Sequence, residues 1–352
     1  MQREKIVSIN GLKGFSCIVI MLYHYRFFLL DNGIMFIDYG HYFVEVFVTI
    51  SGFLIAYNYK DKIANMTFKE FFFRRYMKIM PLYWITELCM YLAVIFAMVL
   101  SGEKRQWNIL QILWEFSGIY TGWFGQKELP LNNPLWTVCC ILFCYMLYYL
   151  IIKISRNFSG IYIGAILFVL SSGLSIIWLT HEKIDFLFVR NEDLVRCILS
   201  FMIGVLLCEA YQRLPKRWGK RISYTLLILI IGVIACSSTS VIDDIVIEKS
   251  ISSFVIFIVC PFMVYSAIYI PLFKFIFSTR ILQLVGILSM DIYMWHWVVR
   301  VYLGSRPFYL EQRTWFGFCV LIITSLLVSG VSHYVVMPYI YSIRGKREKN
   351  VL

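Results

Sequence analysis

The sequence has few charged residues for its length. Only 15% of its 352 residues are Asp, Glu, Lys or Arg, whereas 60% are hydrophobic; a soluble domain has roughly a quarter charged and about half apolar. The apolar residues occur in runs of about twenty, the length that a helix needs to cross ~30 Å of hydrocarbon. This composition excludes a soluble globular domain and predicts an all-α, polytopic helical membrane bundle.

Three further features are missing. The ten cysteines lack the paired spacing of a zinc site and all lie in apolar stretches, so we interpret them as small core residues rather than metal ligands or disulfides. The N-terminus has no small-residue cleavage site before its first apolar run, which indicates a retained span. No segment is left over for a soluble catalytic domain, so we expect residues 1–352 to form one integral membrane domain.

Ten apolar segments predict the transmembrane helices. They lie near residues 6–30, 40–59, 77–100, 134–152, 161–180, 194–212, 222–240, 250–272, 281–304 and 314–341. A shorter stretch at 109–124 is too brief to cross and is predicted to be interfacial or re-entrant. An even number of spans places both termini on the same side of the membrane.

The charges of the loops predict which side that is. The chain carries a net charge of +12, and in the ten-span arrangement about two thirds of the Lys and Arg residues fall on the side of the termini, whereas most acids fall on the other. Cytoplasmic loops carry the Lys and Arg excess, so both termini are predicted to be cytoplasmic. The positive charge then marks topology rather than a nucleic-acid partner.

Ionisable residues inside spans are candidates for function, because burying a charge in the bilayer costs from ~2.5 to well over 10 kcal/mol. Six such residues are Lys13, His24, Glu45, Glu87, Asp291 and His296. Lys13 and His24 are eleven residues apart, close to three helical turns, which predicts that they share one face about 16 Å apart. Glu45 and His296 are predicted at a depth similar to that of His24, near the outer end of the bundle.

The predicted arrangement is polarised. Arg74, Arg75 and Lys78 gather at the cytoplasmic side, where Lys13 also lies, and such a cluster suits a polyanion such as the phosphates of coenzyme A. An imidazole beside a carboxylate on the outer side suits a general base. Each group also has a structural interpretation, since buried His, Glu and Asp residues often bond neighbouring helices and cations often anchor a span.

Four segments then carry a resemblance. The first has Lys13 and His24 in SINGLKGFSCIVIMLYHY; the second has Glu45, Ser51, Gly52 and Phe53 in YFVEVFVTISGFLIAY; the third has Arg75, Lys78, Pro81 and Tyr83 in RYMKIMPLYW; the fourth has Ser289, Tyr293, Trp295 and His296 in LVGILSMDIYMWHW. In order and spacing they resemble motifs of the acyltransferase 3 family of integral membrane O-acyltransferases, over about residues 6–340.

Two departures from the family pattern stand out. Lys replaces Arg in both basic motifs, which keeps the charge but loses the planar fork that binds phosphate bidentately. Many members also have a glutamate where this chain has Ile141 in PLWTVCCILFCY. Any role of that glutamate is either absent here or taken by another acid.

The resemblance implies transfer of an acyl group, with acetyl expected, from cytoplasmic acyl-coenzyme A to a hydroxyl of a cell-surface polysaccharide or its lipid-linked precursor, in a bacterial plasma membrane. It implies no bound cofactor or metal, and no nucleic-acid partner. His24 is the predicted general base and Glu45 the residue that orients it. The predicted substrate- and donor-binding residues are Lys13, Arg75, Lys78, Ser51, Tyr83, Trp136, Asp291 and His296.

Two alternatives stay open. Ser51 could form an acyl-enzyme in place of direct transfer. Buried ionisable residues also mark the routes of secondary transporters and glycan flippases, although the sequence shows neither an inverted repeat nor paired Gly/Pro-broken spans. The oligomeric state is not encoded in any recognisable pattern.

Overall fold

The protein is helical throughout the part that its structure describes. The computed structural model describes residues 5–26, 35–102, 107–119, 130–155, 159–179, 192–236, 250–304 and 315–342, and no strand occurs in these ranges. Nine helices within them are long and apolar enough to cross a membrane. The chain is therefore a multi-pass membrane protein, as its composition predicts.

We number twelve helices in chain order. They are α1 (Val7–Tyr25), α2 (Phe43–Ile63), α3 (Phe68–Ser101), α4 (Ile109–Ser117), α5 (Leu135–Ile154), α6 (Ser159–Leu179), α7 (Glu192–Arg213), α8 (Lys216–Cys236), α9 (Ser250–Tyr269), α10 (Pro271–Phe277), α11 (Arg280–Gly304) and α12 (Trp315–Ser342). A 3₁₀ turn at Gly40–Tyr42 leads into α2. Helices α9 and α12 each contain one π-helical turn.

The predicted spans agree with these helices at nine of ten places. The exception is the span predicted at 222–240, which overlaps α8 but is not one of the nine membrane-length apolar helices of the described ranges. Helix α8 opens with the basic sequence KRWGKR, and residues 237–240 lie outside the described ranges. The count of ten spans therefore stays a prediction at this one segment.

Two helix pairs at the centre of the bundle approach closely through glycine. A Cβ atom on Gly52 of α2 would lie 2.0 Å from the carbonyl oxygen of Phe201 on α7, and one on Gly204 of α7 would lie 2.0 Å from that of Thr49 on α2. Small residues allow such backbone contact between membrane helices. Helices α1 and α11 meet in the same way at Gly14 and Gly286.

The two membrane sides can be named from α1. The N-side is the side on which α1 begins, and the far side is where it ends. Gln283, near the start of α11, donates to the carbonyl of Val7 at 2.9 Å, so α11 also begins on the N-side. Lys60 at the end of α2 pairs with Glu209 near the end of α7 at 2.5 Å, so these two helices run in the same direction.

Helix α4 lies along α3 instead of crossing the membrane. It has nine residues, about 13 Å of helix, and ends at Gly118 with a φ of 72°. Three α3 side chains donate to its last carbonyls: Tyr76 to Ser117 at 2.9 Å, Tyr83 to Glu115 at 2.7 Å and Trp84 to Phe116 at 2.8 Å. These bonds satisfy carbonyls that a helix end leaves unpaired. The helix itself is too short to cross a membrane, as predicted for the stretch 109–124, whose residues 120–124 lie outside the described ranges.

Candidate active site

Two histidines meet at the far side of the bundle. His24 lies in the last turn of α1 and His296 lies on α11, and their ring centroids are 5.2 Å apart. Trp297 meets the His24 ring edge-on at 5.1 Å. The Tyr25 hydroxyl donates to the carbonyl of His296 at 2.7 Å, which ties the end of α1 to α11. We call His24 and His296 the histidine pair.

The two rings of the histidine pair have different surroundings. His296 is fully buried, and its Nδ1 atom lies 3.1 Å from the carbonyl oxygen of Ile292. A carbonyl only accepts hydrogen bonds, so Nδ1 of the neutral ring carries the proton and Nε2 carries the lone pair. Nε2 is buried with no hydrogen-bond partner among the described residues. His24, in contrast, is only half-buried.

Glu45 does not contact His24 as the sequence suggested. It is 3% exposed, and its carboxylate forms an ion pair with Arg196 on α7, which also lies 3.5 Å from Asp193. The reason is the close contact of α2 with α7, which turns this side of α2 toward α7. In the described structure the Glu45 carboxylate is therefore bonded to Arg196 and not to His24.

Arg196 was missed in the sequence although a signal was present. It lies within the predicted span 194–212, where an arginine is as costly as the six ionisable residues noted above. Its pairing with Glu45 accounts for both charges, because buried charges are retained in proteins when they are paired.

Three of the cations that the sequence places on one side lie near one another on the N-side. Lys13 of α1 is close enough to Lys78 of α3 for their charges to interact, and Lys78 in turn interacts with Arg75. The Arg75 guanidinium lies over the Tyr59 ring at 3.6 Å and near the Tyr145 ring at 5.6 Å. We call Lys13, Arg75 and Lys78 the cation cluster. Since like charges repel, an anion would stabilise it.

A narrow cavity of ≈ 20 Å³ lies between the cation cluster and the histidine pair. Tyr145, which flanks Arg75, lines one part of it, and Tyr293, whose ring is 6.0 Å from that of His296, lines another. Ile141 also lines it, so the position at which the sequence departs from the acyltransferase 3 motif forms an apolar wall here. The cavity has room for about one water molecule.

Ser51 lines the same cavity. Its hydroxyl donates to the carbonyl of Phe47, one turn earlier in α2, at 3.0 Å. A nucleophilic serine needs an adjacent base within hydrogen-bond reach. The Ser51 hydroxyl instead donates its hydrogen bond to a carbonyl of its own helix.

Three other predicted site residues have partners elsewhere. Tyr83 binds the end of α4, as described above. Asp291 accepts hydrogen bonds from Ser332 at 2.8 Å and from His333 at 2.9 Å, both in the π-helical turn of α12. Trp136 lies half-buried in the first turn of α5 and packs against the core. His333 was not singled out in the sequence, although an ionisable residue in the span 314–341 was a detectable signal.

The cysteines fit their interpretation as core residues. Seven of the nine whose side chains are described are buried, and all nine are free. Within the described ranges, no group of three or more His, Cys, Asp or Glu side chains could hold a metal ion.

Comparison with known proteins identifies the family of the chain. The acyltransferase 3 family model, described as an acyltransferase domain, matches residues 6–334, nearly the whole chain. No curated protein matches the chain, and no solved structure matches it. The match covers the helices that carry both the cation cluster and the histidine pair. The chain therefore belongs to the acyltransferase 3 family and is a multi-pass membrane acyltransferase that transfers groups other than amino-acyl groups.

Proposed function

We propose that this protein is an O-acyltransferase that moves an acetyl group from cytoplasmic acetyl-coenzyme A to a hydroxyl of a surface polysaccharide or its lipid-linked precursor. In this proposal the N-side is cytoplasmic and the membrane is the plasma membrane of a bacterium. The observation that carries it is the order of features along the bundle: cation cluster, cavity, histidine pair.

The cation cluster suits the donor. Coenzyme A carries several phosphate charges, and Lys and Arg side chains bind phosphate through charge-assisted hydrogen bonds. Lys78 is exposed and Arg75 is half-buried, so an anion on the N-side can reach them. The Arg75 guanidinium is already held on the Tyr59 ring, which lowers the entropy cost of using it.

The cavity gives the thioester a route toward the far side. The pantetheine arm is long and thin, and the line from Tyr145 to Tyr293 leads from Arg75 toward His296. The cavity is too small for the arm as it stands, so donor binding must move side chains such as Tyr145 or Met290, both of which line it. The acceptor then approaches from the far side.

His24 supplies the proton acceptor. It is the half-buried member of the histidine pair, and so the one that a hydroxyl can reach. The hydroxyl oxygen attacks the thioester carbonyl, and His24 takes its proton; the new C–O bond forms, the C–S bond breaks, and the proton is returned to the leaving thiolate. The products are the ester and free coenzyme A, and direct transfer needs no acyl-enzyme on Ser51.

The test is a transfer assay with purified protein in proteoliposomes. With acetyl-labelled coenzyme A, we expect label to move to the glycan acceptor, and free thiol to form in the same molar amount. Accumulation of glycan inside vesicles without any donor would instead support a transporter. Label on a membrane lipid that carries no saccharide would contradict the proposed acceptor.

A further inference from the structure

We propose that His296 is a second proton carrier, whose Nε2 atom accepts the proton that His24 takes from the acceptor hydroxyl. This inference rests on the proposed acyl transfer. It gives a role in the reaction to His296, which has no direct access to solvent. Two imidazole rings, rather than one, then carry the proton.

The first support is the fixed tautomer of His296. Donation from Nδ1 to Ile292 leaves the lone pair on Nε2. The backbone carbonyl of His296 accepts a hydrogen bond from the Tyr25 hydroxyl, which also lies 2.6 Å from the Ser325 hydroxyl. Main chain and ring are both held, so Nε2 keeps one orientation while a proton is transferred.

The second support is that Nε2 has no other use in the described structure. It is buried without a hydrogen-bond partner among the described residues, and leaving a buried polar atom in that state is unfavourable. The His24 ring lies 5.2 Å away, centroid to centroid, at an interplanar angle of 31°. Rotation of the half-buried His24 ring brings its N–H toward Nε2, and hydrogen bonds that are loose before substrate binds commonly tighten in the reacting complex.

The third support is the charge around the pair. Arg26, Arg300 and His41 all act electrostatically on His24, and Arg300 also acts on His296. The other titratable groups that face the pair are Tyr23, Tyr25 and Tyr293, and tyrosine is neutral at ordinary pH. Two protonated imidazoles side by side among arginines are strongly disfavoured. Beyond the single N–H of each neutral ring, the pair therefore holds at most one extra proton, which suits a relay.

The relay keeps atoms and charge balanced. The acceptor O–H bond breaks as its oxygen bonds to the acyl carbon, the proton moves to one nitrogen of His24, and the other nitrogen gives its proton to Nε2 of His296. The proton returns by the same route to the thiolate sulfur when the C–S bond breaks. His24 is neutral before and after each turnover.

The experiment compares His296→Gln with the unmodified protein, both as full chains in proteoliposomes. Glutamine keeps a polar amide near the position of Nε2 but has no basic lone pair. We expect kcat to fall about 100-fold, the size of a typical general-base effect, with KM for the donor unchanged. We also expect the pH dependence of kcat to show one ionisation fewer in the variant than in the unmodified protein.

A second measurement separates proton transfer from misfolding. Acceptor analogues with a more acidic hydroxyl need less base, so the defect of His296→Gln should shrink as hydroxyl acidity rises. His296→Asn provides the same comparison if the glutamine variant is unstable. Tyr265→Phe is the matched control: it removes another buried side-chain hydrogen bond, to Leu207 at 3.0 Å, and its defect should not vary with hydroxyl acidity.

Two outcomes would overturn the relay. One is a His296→Gln defect that is the same for every acceptor, with an unchanged pH profile, because that result shows a structural role. The other is full activity of the variant. If the unmodified protein transfers no acyl group at all, the proposed function itself fails, and that result is distinguishable from either.

Discussion

The two ends of α1 carry opposite kinds of chemistry. At the N-side, Lys13 lies near Arg75 and Lys78, which are partly exposed, so like charges are close together in the cation cluster. At the far side, His24 meets a neutral imidazole that is fully buried and surrounded by aromatic rings. One end of α1 thus carries positive charge near the surface of the bundle, whereas the other carries an imidazole packed against a buried one. The contrast suggests that donor binding and chemistry can be impaired separately.

The largest effect should come from the far side. His24→Ala removes the proposed base, and we expect transfer to fall at least ~100-fold, since general acid–base catalysis contributes typically 10²–10⁴-fold. Labelled transfer measures the loss. Donor affinity, measured by equilibrium binding of acetyl-coenzyme A, should stay unchanged, because the cation cluster is intact. Substantial transfer by a well-expressed His24→Ala protein would contradict the mechanism.

The N-side should show the converse pattern. Lys78→Met removes one cation, and we expect donor affinity to fall roughly 10-fold, because a hydrogen bond to a charged group contributes about 1.5–3 kcal/mol. The loss should diminish at high salt, where exposed charges are screened. Lys69→Met, on the same helix but outside the cluster, is the matched control. Equal losses in the two variants would show that only the general surface charge matters.

A scaffold defect should affect both ends together. Gly204→Ala places a Cβ atom 2.0 Å from the carbonyl of Thr49, and overpacking of this kind costs typically 1–3 kcal/mol. We expect a lower Tm in detergent, with transfer and donor binding falling in parallel. Gly164→Ala is the control, because a Cβ atom there meets nothing within 4 Å. An unchanged Tm for Gly204→Ala would show that α2 and α7 are less closely packed than described.

The smallest effect should come from Tyr83. If its hydroxyl holds the end of α4 rather than the donor path, Tyr83→Phe should lower stability by about 1 kcal/mol, the usual net value of one hydrogen bond. The KM values of donor and acceptor should not change. Tyr224→Phe, on the exposed side of α8, controls for loss of a hydroxyl elsewhere. A raised KM for either substrate in Tyr83→Phe would restore its predicted place on the path.

The sequence predicts the helices well because apolar run length alone determines where a chain can cross. The sequence also predicts that Lys13 lies at the same end of the bundle as Arg75 and Lys78, and His24 at a depth similar to that of His296. Depth in the bilayer can be predicted because it follows from counting residues along each helix. Depth is one coordinate only. The rotation of each helix is set by its packing, and the sequence does not show that packing directly.

Glu45 illustrates this limit. Its depth is compatible with a contact to His24, but the glycine contact of α2 with α7 turns its carboxylate to Arg196. Asp291 is similar, since a π-helical turn in α12 lets Ser332 and His333 reach the same carboxylate. Tyr83 could be assigned to the end of α4 only once α4 was seen lying along α3. Each difference arises from the direction of a side chain rather than from its position along the chain.

The most direct test of the account measures transfer and donor binding side by side in His24→Ala and Lys78→Met. The account predicts that His24→Ala binds acetyl-coenzyme A normally but transfers at least ~100-fold more slowly, whereas Lys78→Met binds weakly but recovers transfer at high donor concentration. Loss of both properties in both variants, or normal transfer by His24→Ala, would contradict the division of work between the two ends of α1.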